Sequence, residues 1–293
     1  MMEKTILYII SAILTVALVI VLSKKTENVE KNKELMQETN LEKSTIEGEQ
    51  YMWVSLTVSE SKRLIAKGLM QYEPVKERLH SGEMIVTRGT TNHYFREELL
   101  GAAHPKGEFL TGNIQPKGKK FTPNLERHFA EMYLKDGIVQ ELSYDAALEQ
   151  ISVGALLFKG ANQINYTLGQ AVVLIGASTG GTTAKLLPHV ESGKAKLIIP
   201  VGLEKNSSYN LVDLANDFSE KRKGSLRMFV LPGELFTEIE ALKQFANVEV
   251  LQIASGGING AEGAVSLSIR GTAEELAKAK LILNEIHGEV PFY

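Results

Sequence analysis

The sequence predicts an α/β fold in which a mostly parallel β-sheet is flanked by helices. Three apolar runs, residues 84–87, 154–158 and 172–175, each end in a glycine-containing turn that precedes a helical pattern. Short strand-to-helix connections imply right-handed crossovers and parallel strands. The three turns are therefore expected at the carboxyl edge of the sheet, where open α/β sheets bind their ligands.

The elements around the first turn follow from apolar spacing and capping residues. Residues 53–58 form a β-rich run, and residues 60–70 carry one apolar stripe at helical spacing, with Ser59 as the N-cap. Residues 75–79 predict a short helix before the strand at residues 84–87. After the turn, residues 92–100 predict a helix that a glycine closes.

Between the first and second turns, the sequence predicts a hairpin and a helix. Residues 132–134 and 138–139 flank Asp136-Gly137, a pair typical of two-residue hairpin turns. Ser143 is expected to cap a helix over residues 144–151, which leads into the strand of the second turn.

The C-terminal part of the chain follows a different order. After a helix, a strand and a helix over residues 182–190, 195–201 and 211–221, the order becomes strand, helix, strand, strand, helix. These last segments are residues 227–231, 235–245, 248–254, 264–270 and 273–287. This β-α-β-β-α order predicts a ferredoxin-like portion. The folded region is thus divided into an α/β ligand-binding domain, residues 51–224, and a small α+β subdomain, residues 225–293.

The N-terminal residues predict a transmembrane helix that anchors the chain. Residues 5–23 contain no charge and match the roughly 20 residues that a helix needs to cross a bilayer. A cleaved signal peptide and a buried helix are the alternatives, but the run exceeds the usual ~7–15 apolar residues of a signal peptide. Residues 1–25 are assigned to the anchor and residues 26–50 to a flexible charged linker. Because more lysines follow the anchor than precede it, the folded region is expected in the cytoplasm.

Composition excludes several classes of function. The 293 residues carry a net charge of −3 and contain no cysteine. No cluster of lysine and arginine offers a surface for nucleic acid, and without cysteine there is no disulfide and no cysteine nucleophile. The six histidines lack the spacing of a metal site, so no metal is predicted. The sequence identifies neither a cofactor nor an oligomeric state.

The three turns carry residues suited to an anion, although the same residues also suit helix capping and close packing. Arg88 offers a guanidinium group beside two hydroxyls, and Lys159 offers an ammonium group after the next strand. The third turn is similar to a phosphate loop, but Thr182 stands where that loop has its lysine, which argues against nucleotide hydrolysis. The predicted ligand-binding residues are Arg88, Gly89, Thr90, Thr91, Asn92, Lys159, Gly160, Asn162, Ser178, Thr179, Gly180, Gly181 and Thr182.

Three further residues are predicted to handle protons. Glu204 and Lys205 follow the strand at residues 195–201 and place a carboxylate beside an amine. An ordinary surface ion pair is the alternative for these two. Glu262 lies in a glycine-rich loop, residues 255–263, which is typical of a lid or of close backbone approach.

At these turns the chain resembles the sugar-phosphate isomerase and CoA-transferase-like superfamily, which includes ribose-5-phosphate isomerase and glucosamine-6-phosphate deaminase. The resemblance covers residues 55–205 and rests on Ser59-Glu60-Ser61-Lys62-Arg63-Leu64-Ile65-Ala66, Gly89-Thr90-Thr91 and Lys159-Gly160-Ala161-Asn162. It implies a ribose-5-phosphate isomerase-like fold, a substrate phosphate held by the first turn, and catalytic carboxylates near a Gly-Ala-Asp motif. Here Asn162 stands at the position of the acid, and an amide cannot act as a general base. The chain also resembles uncharacterised bacterial and archaeal families with these motifs, which imply no activity.

Together these features predict a membrane-anchored α/β protein that binds a small anionic metabolite, such as a phosphosugar or a CoA-like molecule. If the protein is an enzyme, isomerase or transferase chemistry is expected. The alternative is a non-catalytic metabolite sensor or scaffold at the membrane, which Asn162 in place of an acid would permit.

Overall fold

The computed structural model describes residues 49–112, 114–115, 117, 130–221 and 226–291. The predicted anchor and all but the last two residues of the predicted linker lie outside these ranges. Among the helices that are described, none combines the length and the apolar character needed to span a membrane.

The described residues form twelve strands, eight α-helices and one 3-10 turn, Leu203–Lys205. The strands are β1 (Gln50–Leu56), β2 (Glu83–Val86), β3 (Met132–Lys135), β4 (Ile138–Gln140), β5 (Ala155–Phe158), β6 (Gln163–Asn165), β7 (Gln170–Ile175), β8 (Ala195–Pro200), β9 (Arg227–Val230), β10 (Glu234–Phe236), β11 (Glu249–Ser255) and β12 (Val265–Gly271). The helices are α1 (Val58–Gln71), α2 (Glu73–His80), α3 (Thr90–Leu100), α4 (Tyr144–Gln150), α5 (Gly181–Glu191), α6 (Leu211–Lys221), α7 (Glu238–Lys243) and α8 (Ala273–Ile286).

The largest sheet is mixed and has the strand order β10-β8-β5-β2-β3-β4. Its first four strands are parallel to one another, whereas β3 and β4 are antiparallel. Strands β2 and β5 are buried along their whole length, as expected for parallel strands that are covered on both faces. The predicted α/β class is confirmed, but the sheet is mixed because the hairpin at Asp136-Gly137 adds two antiparallel strands to its edge.

The strand of the third turn is not part of this sheet. Strand β7 lies between β6 and β9 in a separate antiparallel sheet. The expectation that a helix follows the second turn is wrong, because the chain enters β6 there instead. The side-chain oxygen of Asn162 accepts the N–H of Leu174, and the N–H of Asn162 donates to Val172, so the turn folds back along β7.

The C-terminal strands do not assemble into a ferredoxin-like sheet. Strand β9 pairs with β7, β10 joins the central sheet, and β11 and β12 pair with β1 in a third, antiparallel sheet. Each sheet therefore contains strands from both sides of residue 225. Residues 234–236 form a strand rather than the start of a helix because Gly233 permits close approach to β8: a Cβ there would lie 2.8 Å from the carbonyl oxygen of Leu197.

Helix α1 packs against α3, α7 and α8 and is buried on most of its surface. Its N-cap is Thr57 rather than the predicted Ser59, and Glu60 completes a capping box with Thr57. A Cβ on Gly68 would lie 2.6 Å from the Cα of Ala241, so this glycine lets α7 cross closely. The tight packing carries Lys62, in the second turn of α1, into the interior.

Candidate functional site

The carboxyl ends of four parallel strands meet at one edge of the central sheet. Backbone hydrogen bonds fix their positions: Thr87 donates to the last residue of β5, Lys159 to Ile198 in β8, and Val201 to the last residue of β10. Neighbouring strands lie about 4.8 Å apart. The residues that follow β2, β5, β8 and β10 are therefore side by side, as the sequence predicted for the first and second turns.

Lys159 is buried at this edge, with 5% of its surface exposed. Its Nζ lies 3.3 Å from Oγ1 of Thr182, in the first turn of α5. Burial lowers the pKa of Lys159 to about 8; the charge of Glu131 opposes this shift and that of Arg88 adds to it. The first turn of α5 has no side-chain cap. Lys159 thus brings to the third turn the cation that this turn lacks in its own sequence.

Arg88 and Tyr144 complete the surroundings of Lys159. Nε of Arg88 donates to Oε1 of Glu131 at 3.0 Å, and the Glu131 side chain is 8% exposed. The hydroxyl of Tyr144 donates to the carbonyl oxygen of Thr182 at 3.0 Å, and burial raises the pKa of this phenol. Lys159, Arg88 and the carboxylate of Glu131 therefore lie close together.

The other residues of the first turn hold the backbone. Nδ2 of Asn92 donates to the carbonyl oxygens of Thr87 and Phe158, at 2.8 and 3.2 Å. Gly89 is the N-cap residue of α3, and its N–H donates to Phe109. Thr91 is buried and Thr90 is half-buried. Asn92 and Gly89 therefore hold the turn through hydrogen bonds, and Arg88 is the residue of this turn that contributes charge.

In the second and third turns, too, most of the predicted residues shape the backbone or are exposed. Asn162 is exposed and binds the backbone of β7, so it has a structural role. A Cβ on Gly160 would lie 3.6 Å from the carbonyl oxygen of Pro200, which brings this turn beside the end of β8. Gly180 and Gly181 have φ values of 82° and 56°, the left-handed region that favours glycine, and they turn the chain into α5. The remaining two predicted residues, Ser178 and Thr179, are exposed.

A second cluster lies at the ends of β8 and β10. Glu238, the first residue of α7, is fully buried and accepts the N–H of Leu203 at 2.9 Å. A Cβ on Gly202 would lie 1.8 Å from Oε2 of Glu204 and 3.0 Å from Oε1 of Glu238, so the two carboxyl groups share one small space. Burial raises the pKa of Glu238 to about 8, and the charge of Glu204 acts in the same direction.

Two lysines lie close to this carboxyl pair. Lys62 of α1 is 8% exposed; burial lowers its pKa to about 8, the charge of Glu204 opposes the shift, and that of Lys205 adds to it. Nζ of Lys205 donates to the carbonyl oxygen of Ala161 at 2.9 Å, so this side chain ties the second turn to the 3-10 turn. The cluster thus combines two carboxyl groups with a buried amine.

Glu262 does not join either cluster. It is exposed in the loop between β11 and β12. A Cβ on Gly263 would lie 2.6 Å from Cγ2 of Val58, so the end of this loop packs on the start of α1. Of the three residues predicted to handle protons, Glu204 lies in a buried cluster, Lys205 binds the backbone and Glu262 faces solvent.

Two surface depressions lie at the opposite, amino-terminal side of the central strands. One, of about 540 Å³, is lined by Lys196 and Gly233 among others, and another, of about 470 Å³, by Glu83 and Gly154. Neither is lined by a predicted site residue. Three buried charged groups with displaced pKa values, Lys159, Lys62 and Glu238, lie at the carboxyl edge, and such groups are typical of functional sites.

Sequence reasoning missed Glu238, Lys62, Glu131 and Tyr144. A predicted helix over residues 235–245 places Glu238 inside a helix, whereas β10 puts it at a strand end beside Glu204. A glycine before a short apolar pair, as at Gly233, is the signal that could have revealed this strand. Lys62 lies on a polar segment of α1 that reads as an exposed face, and nothing local indicates its burial.

Comparison with known proteins does not assign the chain to a family. No protein-family model matches the chain, and neither the curated proteins nor the solved structures contain a match. The function is therefore inferred from the two clusters at the carboxyl edge.

Proposed function

We propose that the folded region binds a small anionic metabolite, a phosphosugar or a CoA-like molecule, at the carboxyl edge of the central sheet. The observation that carries this proposal is the contact between buried Lys159 and Thr182 in the first turn of α5. A helix N-terminus favours anions through its N–H groups and its dipole, and a buried ammonium group adds a full charge.

The surroundings of Lys159 support the same ligand class. Burial disfavours the positive charge of Lys159, and so does the nearby charge of Arg88, whereas Glu131 favours it. An anion that compensates this charge favours the protonated form of Lys159. Binding should therefore raise the pKa of Lys159 and take up a fraction of a proton per ligand near pH 8.

The carboxyl pair beside this site favours an enzyme over a sensor or scaffold. The sensor alternative depends on the absence of an acid at Asn162, but that side chain binds the backbone of β7 and is exposed. Glu204 and Glu238 supply carboxyl groups at the neighbouring strand ends instead. Isomerase or transferase chemistry fits these carboxyl groups better than hydrolysis.

A thermal-shift titration of the full chain in detergent micelles tests the proposal. Inorganic phosphate, ribose 5-phosphate, glucosamine 6-phosphate and acetyl-CoA are the probes. A ligand at 100 times its Kd should stabilise the folded state by about 2.7 kcal/mol. Binding to Lys159→Met should be at least tenfold weaker, because the variant lacks the ammonium group at Thr182.

Lys196→Met is the matched control, because Lys196 lies in the adjacent strand β8 but at its amino end, where it pairs with half-exposed Glu234. This variant should bind the probes like the wild type. If no probe shifts the melting temperature, or if both variants weaken binding equally, the anion site is not at the carboxyl edge. Turnover of a bound probe would favour the enzyme, and binding without turnover the sensor.

We further propose that residues 5–23 anchor the chain in a membrane, with the folded region in the cytoplasm. The uncharged run and the lysines that follow it support this topology. Protease treatment of right-side-out vesicles should leave the folded region intact, and treatment of inverted vesicles should digest it. Digestion from the outside would contradict the orientation.

A further inference from the structure

The antiparallel sheet of β1, β12 and β11 has a covered and an uncovered face. Successive side chains of a strand point to opposite faces of a sheet. In β1, Met52, Val54 and Leu56 pack against the core, and helices α1 and α8 contact this strand. Tyr51 and Trp53 alternate with those residues and are 68% and 73% exposed. The two aromatic side chains therefore lie on the outer face of the sheet.

The strand register places further apolar residues beside them. Trp53 pairs with Ser268 of β12, and Ser268 pairs with Leu251 of β11, so the three residues form one row across the sheet. Leu251 is 52% exposed, and Ile253, at the register shift of β11, is 56% exposed. Two aromatic and two aliphatic side chains thus form an exposed apolar strip, which consists of Tyr51, Trp53, Leu251 and Ile253.

We propose that this apolar strip rests on the membrane surface, with its side chains among the headgroups of zwitterionic phospholipids. The inference rests on the proposed anchor, residues 5–23, because the anchor holds the folded region beside a bilayer. Strand β1 is the first described element after that segment, so Tyr51 and Trp53 lie where the chain arrives from the membrane. Tryptophan and tyrosine are enriched at the membrane–water interface.

The charges on these strands indicate zwitterionic rather than anionic lipid. The three strands contain one cation, Arg270, which is the cross-strand neighbour of Tyr51. Arg270 pairs with Glu49 at 3.5 Å and also with Glu249. A cation that already has two carboxylate partners gives little attraction to anionic headgroups, which are bound by clusters of lysine and arginine. Apolar contact is therefore the source of binding, and salt should have little effect on it.

The size of the strip favours a lipid surface over a second protein chain. A fully buried aromatic side chain covers about 150–250 Å². Four partly exposed side chains therefore present less than the roughly 800 Å² that each partner contributes to a standard protein interface. A membrane needs no matching surface, and binding to it increases with the apolar area that enters the interface. In an anchored chain the docking is intramolecular, so a small area is sufficient.

The fluorescence of Trp53 tests this contact, because Trp53 is the single tryptophan of the chain. The full chain is reconstituted into phosphatidylcholine vesicles with or without bromine on the upper part of the acyl chains. Bromine quenches tryptophan at close range, so the emission should fall by at least about half in brominated vesicles, at low and at high salt. A flexible chain of roughly 25 residues spans about 25–30 Å, so tethering alone would leave the indole out of reach of the bromine.

Leu251→Glu should weaken this quenching at least about twofold, because a charge in the strip disfavours its entry into the interface. Leu168→Glu is the matched control. Leu168 is 55% exposed, much like Leu251, but it lies in the turn between β6 and β7 of another sheet. This control should be quenched like the wild type. Equal quenching of the two variants overturns the proposal.

Flotation of the vesicles separates the docking from the anchor. The wild type and both variants should float with the vesicles, because all three keep residues 5–23. If the wild type floats but Trp53 is quenched by acrylamide in water and not by bromine, the docking is overturned and the anchor stands. Shielding of Trp53 from both quenchers means that a second copy or another segment of the chain covers the strip, and this also overturns the docking. A wild type that does not float overturns the anchor and the docking together.

Discussion

The ammonium nitrogen of Lys159 lies 3.3 Å from the hydroxyl oxygen of Thr182, although the strands that precede these residues belong to different sheets. Lys159 follows β5 of the central sheet, and Thr182 lies in the helix after β7 of a three-stranded sheet. The contact joins the second and third turns at one point. A buried cation and a helix N-terminus thereby meet, although they come from different sheets.

Lys159→Met should stabilise the ligand-free protein while it weakens anion binding. The folded-state pKa of about 8 lies below the ordinary 10.5 of this group. The folded state therefore disfavours the ammonium form. The stability that the neutral amine contributes is present above pH 10.5 and is lost as the pH falls from 10.5 to 8. At pH 7 the substitution should raise the free energy of unfolding by about 1–3 kcal/mol, measured by urea denaturation.

The pH dependence separates this cause from better packing. The gain over the wild type should shrink as the pH rises from 8 towards 10.5, where the lysine loses its charge in both states. A gain that is independent of pH would show that packing, and not the buried charge, is responsible. Lys196→Met should change stability little, because its ion pair with Glu234 is half exposed.

Caps and turns that depend on residues close together in the sequence were predictable. Gly101 closes α3 in the left-handed conformation, with φ of 61°, and Ser143 caps α4. Asp136 and Gly137 both adopt positive φ in the hairpin turn. The parallel pairing of β2 with β5, which aligns the first two turns, also agrees with the prediction. Arg88 and Lys159 thus come together as the sequence indicated.

Pairing between distant segments was not predictable in the same way. The sequence of β7 predicts a parallel strand because, like β5, it is an apolar run followed by a glycine-containing turn, and only the fold-back at Asn162 assigns it to another sheet. Glu238 and Lys62 acquire their displaced pKa values from burial by segments remote in the sequence. A single sequence contains no local sign of such burial, so the carboxyl pair was missed.

Gly202→Ala should separate the two carboxyl groups with little effect on the fold. The backbone φ at Gly202 is −78°, which alanine accepts. The added Cβ would lie 1.8 Å from Oε2 of Glu204, at the end of a flexible side chain that can turn towards solvent. Without that neighbouring charge, the pKa of Glu238 should fall part of the way towards 4.5, and burial should keep it raised. Infrared titration of the C=O stretch of the protonated Glu238 carboxyl group measures the shift.

An unchanged titration of Glu238 in Gly202→Ala would contradict the close approach of the two side chains. Urea denaturation supplies the check on folding: the expected loss is about 1–2 kcal/mol, since the clash is relieved by side-chain movement. A much larger loss would mean that the backbone, rather than Glu204, has to move.

Glu97→Gln should make the protein less sensitive to acid. Glu97 accepts hydrogen bonds from Arg63 at 2.5 Å, from the N–H of His104 at 2.9 Å and from Lys106 at 3.2 Å. Burial alone would raise its pKa, but these donors outweigh burial and lower it to about 2. The stabilisation is therefore present above pH 4.5 and is lost as the pH falls from 4.5 to 2.

The comparison that checks this is the change in unfolding free energy between pH 6 and pH 3. The wild type should lose about 2 kcal/mol more than Glu97→Gln over this range. At pH 6 the variant should itself be less stable by about 3 kcal/mol, because Arg63 keeps a buried charge with one partner fewer. Glu274→Gln, in an exposed pair with Lys278, is the control and should alter neither value much. Equal acid sensitivity of wild type and Glu97→Gln would refute the assignment.

Gly68→Ala should destabilise the protein even though alanine is the better helix former. In an isolated helix the substitution is favourable by about 1 kcal/mol. In α1, however, the added Cβ would lie 2.6 Å from both Cα and Cβ of Ala241, and Cα belongs to the backbone of α7, which cannot turn aside like a side chain. The helices must separate, at a net cost of about 1–3 kcal/mol.

Gly112→Ala is the control, because a Cβ there meets nothing within 4 Å. A variant as stable as the wild type would show that α1 and α7 are farther apart than this crossing requires.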